Sequence, residues 1–222
     1  MHEHLIAPLI QRLQIHRDHD RSIVASSSFQ TQSMPLLHLL SIHAPEVPVY
    51  FLDTGFHFSE TLRFRDVVGK QLGLDIRSVR STVPLAGQRT TSGMFLWSEN
   101  TQRCCEVNKT LPMEPVLAGA DVWITGVRRD QSSVRSAFEL EAPGPQRTTR
   151  LHPMLEWTRS DIWRYVAEFD LPRHPLEQLG YESIGCQPCT ARPSLDGEER
   201  AGRWEGQNKN ECGLHTVLAT SS

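Results

Sequence analysis

Residues 23–42 read IVASSSFQTQSMPLLHLLSI, a short β-branched run, a polar turn rich in serine, and then a longer apolar stretch. Ile23-Val24-Ala25 is too short for a helix and has the composition of a buried strand. The segment 36–42 has the length and pattern of a helix. The same alternation recurs downstream: 47–52 precedes a helical pattern over 58–72, and further strand-like runs lie at 76–79 and 122–127. Repeated strand–helix units predict a single α/β domain on a mainly parallel sheet. Ligands of such sheets bind beyond the carboxyl ends of the strands. Two segments stand there, the turn spanning 26–33 and Asp53-Thr54-Gly55.

A serine-rich turn feeding a helix suits phosphate, because backbone N–H groups and the helix N-terminus point at the anion and hydroxyls add donors. Ser28 and Ser33 bracket this one. Taken alone, the turn is equally compatible with an ordinary loop, and Asp53-Thr54-Gly55 with a helix-capping turn.

Around this core the sequence divides into an N-terminal helix over 1–20, an α/β body over 21–195, and a polar segment over 196–222 whose composition predicts mobility. The first helix has an apolar side of Leu5, Ile6, Leu9, Ile10 and Leu13, and its histidines His2, His4, His16 and His19 are expected on the solvated side. Thr158-Arg159-Ser160-Asp161 reads as a capping box with Asp for Glu, opening a helix that ends before Pro172. Pro143, Gly144 and Pro145 mark a turn.

The chain has 222 residues, a formal net charge of -3 and no apolar run of membrane-spanning length. These features predict neither membrane nor nucleic-acid binding. The N-terminus lacks the pattern of a secretory signal, so the expected location is the reducing cytoplasm.

The five cysteines fall into an adjacent pair, Cys104-Cys105, a Cys186-x-x-Cys189 step, and a lone Cys212 within Glu211-Cys212-Gly213-Leu214-His215. Four soft thiolates in two tight pairs suit zinc or an iron–sulfur cluster. The spacing does not discriminate between them, although zinc ribbons usually use two Cys-x-x-Cys steps, which favours a cluster. Cys212 is left for chemistry. Basic residues gather near the cysteines: Lys109, Arg128-Arg129, Arg200, Arg203 and Lys209.

Taken together, Ser-x-x-x-x-Ser over 28–33, Leu52-Asp53-Thr54-Gly55, Cys104-Cys105, Thr125-Gly126-Val127-Arg128-Arg129-Asp130-Gln131, Cys186-x-x-Cys189 and the Cys212 pentapeptide resemble the assimilatory sulfonucleotide reductases, the adenylyl-sulfate and phosphoadenylyl-sulfate reductase family. The likeness runs over residues 22–216. It implies an adenine-nucleotide α-hydrolase-like, pyrophosphate-loop fold and reduction of an activated sulfate to sulfite with release of a nucleotide. It implies one 4Fe-4S cluster per chain on Cys104, Cys105, Cys186 and Cys189, with Lys109 between cluster and substrate. It also implies Cys212 as nucleophile, with Ser28, Ser33, Asp53, Thr54, Gly55, Arg128, Arg200, Arg203 and His215 around the substrate. Adenosine 5′-phosphosulfate is the expected substrate, since the four-cysteine set usually accompanies the form without a 3′-phosphate. The 3′-phosphorylated nucleotide is the alternative. Thioredoxin or glutaredoxin is the expected external reductant, and a homo-oligomer is compatible with the reading.

The chain departs from the family at Phe29 and Gln30, which stand where pyrophosphate loops carry glycine and would limit backbone approach to phosphate. Two other classes fit parts of the pattern: a pyrophosphate-loop enzyme that adenylates its substrate with ATP, and a non-enzymatic, metal-stabilised redox-sensing module. Neither gives Cys212 a necessary role.

Overall fold

A computed structural model describes residues 2–193, 200–204, 209, 211 and 213–216. Helix α1 (Glu3–Asp18) leads into strand β1 (Ile23–Ser26), α2 (Met34–His43), β2 (Val49–Leu52), α3 (Ser59–Leu72) and β3 (Ile76–Val79). Two short helices, α4 (Leu96–Glu99) and α5 (Thr101–Cys105), are followed by a π-turn at Glu106–Thr110 and α6 (Leu111–Ala118). The chain then forms β4 (Val122–Thr125), α7 (Ser133–Ser136), β5 (Glu141–Pro143), β6 (Thr149–Leu151), α8 (Arg159–Glu168) and α9 (Gly213–Thr216).

The six strands lie in the order β3-β2-β1-β4-β6-β5, parallel except for the β5–β6 pair. The chain winds outward from β1 through β2 to β3 and then returns to the other side of β1 as β4. The crevice between the carboxyl ends of β1 and β4, where Ser26 stands opposite Thr125, is therefore the topological switch point. β4 is buried along its whole length, as a central parallel strand requires.

One face of the sheet is closed by α1, α2, α3 and α8, through Leu9, Leu13, Leu37, Leu40, Val68 and Tyr165, all buried. Each large apolar side chain buried this way contributes about 1.5–3 kcal/mol. On the other face Trp123 packs with Met113, Leu117 and Leu214, which brings α6 and α9 against β4.

The α8 capping box forms as expected: the Thr158 hydroxyl accepts from the Asp161 backbone N–H at 3.2 Å, and the Asp161 carboxylate accepts from the Thr158 backbone at 2.9 Å. Two histidines contradict the sequence expectation. His16 is 3% exposed and its ring lies 2.9 Å from the Glu141 carboxylate, while His2 is buried and stacks on Trp157. Strand β5, which carries Glu141, has only three residues and no period to read, so this partner was invisible in the sequence. Pro143 closes that strand at the sheet edge, where a missing N–H is tolerated.

Candidate active site and cysteine centre

A cleft enclosing about 920 Å³, including its open mouth, occupies the switch point. Ser26, Ser27 and Ser28 line it from the end of β1, Leu52 from β2, and Thr125, Gly126 and Val127 from β4. Gln30 and Ser33 close the serine turn around it. Phe29 sits at φ +52 with its ring fully buried, 5.8 Å from Phe51 and edge-on to it. The side chain that replaces glycine therefore points into the core and is absent from the cleft wall, while the backbone keeps the left-handed conformation glycine usually provides. The Ser27 hydroxyl accepts from the Phe29 N–H at 3.1 Å and stabilises that conformation. Gln30 accepts from the Ile184 N–H at 3.0 Å and ties the turn to the segment before Cys186.

The cleft lining is also basic. Lys109, Arg135, Arg200 and Arg203 all line the cleft, with Trp204 between the last two and Cys186. Arg203 lies over the Trp204 ring at 4.6 Å and its Nε donates to the Cys189 carbonyl at 3.2 Å. Lys209 donates to the Thr101 carbonyl at 3.4 Å, which links the C-terminal segment to α5. Gly185 allows the Arg203 guanidinium to lie directly on the backbone, since a Cβ there would collide with it.

Asp53, Thr54 and Gly55 line an adjoining pocket with Arg80 and Gln88, which shares His57 with the cleft; Leu52 is the residue of that turn that lines the cleft itself. Asp53 is buried, accepts from the Gly55 N–H at 3.1 Å and from Arg80 Nε at 2.9 Å, and its carboxyl is held below the usual range because these contacts outweigh its desolvation. Thr54 turns away, its hydroxyl 3.2 Å from Cys186 Sγ. Arg128 is buried beside the cleft; it donates to Asp130 at 2.9 Å and to Gln32 at 3.1 Å, and so braces the loop that presents Gln131. His215 falls in α9, whose Leu214 lines the cleft. Cys212 lies outside the described residues, but its neighbour Glu211 is bonded to Arg135 and Arg200.

Arg135, His57 and Trp204 are not singled out by the sequence, and Gln131 only as the last residue of the 125–131 motif. The pair Arg128-Arg129 drew attention as a charge cluster, whereas Arg135 stands alone and reaches the cleft only because Ser132 caps α7 and turns the chain. His57 donates through Nε2 to the Leu52 carbonyl at 2.8 Å, and burial pushes its pKa down.

Directly behind Lys109 and Cys186 is a narrow gap, about 300 Å³ including its open mouth. Cys104, Cys105, Cys186 and Cys189 all line it, together with Thr54 and Asn108, and all four cysteines are buried and free of disulfides. Among the described residues, no three His, Cys, Asp or Glu side chains converge tightly enough for a single metal ion. The four thiols instead line one common gap between the cysteine pair and the Cys186–Cys189 step. Burial and the neighbouring Cys186 and Cys189 push the Cys104 thiol up to about 11, and burial also raises Cys189. A ring of desolvated thiols resists ionisation until a cationic group compensates it. Lys109 and Cys186 belong to the walls of both cavities, so the cysteine centre and the cleft share a partition.

Comparison with known proteins places this architecture. Residues 22–192 match the model of the phosphoadenosine phosphosulfate reductase domain. The chain is 37% identical over 202 residues to an adenosine 5′-phosphosulfate reductase of Bacillus cereus, covering 90% of this chain and 86% of that one. It is 38% identical, with the same coverage, to the protein of that name from Geobacillus kaustophilus. In three dimensions it is similar to phosphoadenylyl-sulfate reductase from Candida auris, with a TM-score of 0.69 and 21% identity over 85% of this chain and 95% of that one.

Proposed function

The chain belongs to the phosphoadenosine phosphosulfate reductase family, and from that premise we propose that it is an oxidoreductase reducing adenosine 5′-phosphosulfate to sulfite with release of AMP. The observation that carries the reading is the cleft itself: a serine turn at the switch point and the cations Lys109, Arg135, Arg200 and Arg203 line one common space. The unphosphorylated nucleotide is preferred because the curated relatives bear its name.

In this reading Ser28, Ser33 and the turn backbone hold the phosphate, while Leu52 and Gly126 flank the nucleoside. Asp53, Thr54 and Gly55 support that wall from behind, as Arg128 does on the other side. The guanidiniums of Arg135, Arg200 and Arg203 and the Lys109 ammonium neutralise phosphate and sulfate oxygens, with His215 nearby on α9. Cys212 attacks as the thiolate. A bond forms between its sulfur and the sulfate sulfur, the bond from that sulfur to the phosphate oxygen breaks, and the electron pair leaves with AMP. One thiolate of an external dithiol, thioredoxin or glutaredoxin, then attacks the Cys212 sulfur and expels sulfite. Its second thiol resolves the mixed disulfide, so the dithiol supplies both electrons.

Cys104, Cys105, Cys186 and Cys189 would hold one 4Fe-4S cluster, which when bound keeps the buried thiolates ionised and places a fixed charge distribution next to Lys109. Such thiols and such a reductant belong to a reducing compartment, the cytoplasm. No described helix is long and apolar enough to cross a membrane. Comparing kcat/KM for adenosine 5′-phosphosulfate and its 3′-phosphorylated form tests the substrate, and a large advantage for the phosphorylated nucleotide reverses the assignment.

A further inference from the structure

Behind the cysteine cavity, two buried amides face each other. Gln88 Nε2 donates to Asn108 Oδ1 at 2.9 Å, and Asn108 Nδ2 donates back to Gln88 Oε1 at 2.6 Å. Both residues are at most 2% exposed. The exchange fixes the orientation of each amide, because flipping either one alone opposes donor to donor and acceptor to acceptor. Each amide nitrogen also has a second hydrogen. On Gln88 it goes to the Val83 carbonyl at 3.0 Å. On Asn108 it is shared within Cys104: Nδ2 lies 3.0 Å from the carbonyl oxygen, the nearer acceptor, and 3.6 Å from Sγ.

This contact sits in the π-turn at Glu106–Thr110, which follows the cysteine pair and also carries Lys109. Single π-turns interrupt the ordinary helical ladder and are frequent at functional sites. Here the turn is bonded to Gln88, from a loop twenty residues earlier whose Val83 and Leu85 face outward at 40% and 41% exposure.

We infer that Gln88 and Asn108 form a positioning pair that aims an amide N–H at the Cys104 thiolate and holds the turn that presents Lys109 to the cleft. The inference rests on the cluster proposed above. An N–H directed at a ligating thiolate stabilises its charge and the metal–sulfur bond, and removal of such an outer partner typically costs about 10–100-fold in metal affinity or activity. Gln88 does not touch Cys104, yet it sets the Asn108 amide, so its loss acts through the same bond.

The test is made on anaerobically prepared holoprotein, reading iron and sulfide content, the iron–thiolate stretching bands in the resonance Raman spectrum, and the rate at which a chelator bleaches the cluster. Asn108→Ala and Asn108→Asp should both assemble the cluster, shift a thiolate stretch and bleach about tenfold faster. The Asp variant keeps the shape but exchanges the amide donor for an anionic acceptor, so a change common to both variants reports the lost N–H and not lost packing. Gln88→Ala should show the same shift to a smaller degree, and the double alanine variant should add little beyond Asn108→Ala alone. Wild-type spectra and bleaching rates in both Asn108 variants, or an unaltered Gln88→Ala beside an altered Asn108→Ala, overturn the pair while leaving the cluster in place. Wild-type protein without iron and sulfide overturns the cluster reading first, and the role assigned to the pair falls with it.

Discussion

The guanidinium of Arg135 and the carboxylate of Glu211 meet through two parallel hydrogen bonds, Nε to Oε2 and Nη2 to Oε1, each 2.8 Å long and both side chains nearly inaccessible to solvent. Arg200 reaches the same carboxylate at 3.2 Å. Two of the cations that line the cleft are thus bonded to the residue immediately before Cys212. The pair joins the C-terminal segment to the switch point, and it sets the charge that an incoming anion meets.

Arg135→Ala leaves the Glu211 carboxylate buried with its principal partner gone. Breaking a buried ion pair from one side costs about 3–5 kcal/mol, so denaturant titration should show a loss of that order. Glu211→Gln preserves shape and loses charge. It should bind AMP or sulfate at least as tightly as wild type, because two guanidiniums lose their internal counter-charge, while kcat falls through weaker anchoring of the segment that carries Cys212. Isothermal titration beside steady-state kinetics separates the two effects, and unchanged kcat with weakened anion binding contradicts the account.

Gly185→Ala tests the Arg203 wall. The added methyl collides with the Arg203 guanidinium and must displace it from the Trp204 ring. The expected result is a raised KM with the cysteine centre still loaded. Loss of the iron–sulfur absorbance instead would mean that the strain travels to Cys186.

Acid should destabilise the protein through two buried histidines. His152 is bonded to Thr125 at 2.7 Å and His174 to Thr61 at 3.0 Å, and burial lowers both pKa values to about 4. The unfolded chain, with histidine near 6.5, binds protons that the folded chain refuses, so stability falls as pH drops from about 6.5 toward 4 and levels off below. Each histidine accounts for roughly 3 kcal/mol at most. Denaturation midpoints at pH 7 and pH 5 measure it, and His174→Gln should flatten the slope.

How far the sequence disclosed this site follows from where the information lies. β1, the serine turn and α2 are contiguous, so pattern alone placed them, and the four cysteines announced themselves by their pairing. Asp53-Thr54-Gly55 occupies a strand end as expected, yet which of its side chains enter the cleft depends on Arg80 and Cys186, far away in the chain. Arg135 depends on Glu211, 76 residues distant, and Asn108 on a reciprocal amide that no periodicity reveals. Strands β5 and β6 have three residues each, too few to carry a period. Phe29 looked like an obstruction because the sequence does not show that its ring turns inward.

In the proposed reaction everything turns on a covalent bond between Cys212 and the sulfur of the substrate. Incubating holoprotein with one equivalent of adenosine 5′-phosphosulfate and no reductant, then mapping the peptides by mass spectrometry, tests it most directly. The expected result is a single burst of AMP, a sulfonate on the Cys212 peptide that thioredoxin discharges as sulfite, and neither event in Cys212→Ser protein that still holds its cluster. A sulfonate on Cys104, Cys105, Cys186 or Cys189, or sustained sulfite release by the Cys212→Ser variant, would contradict it.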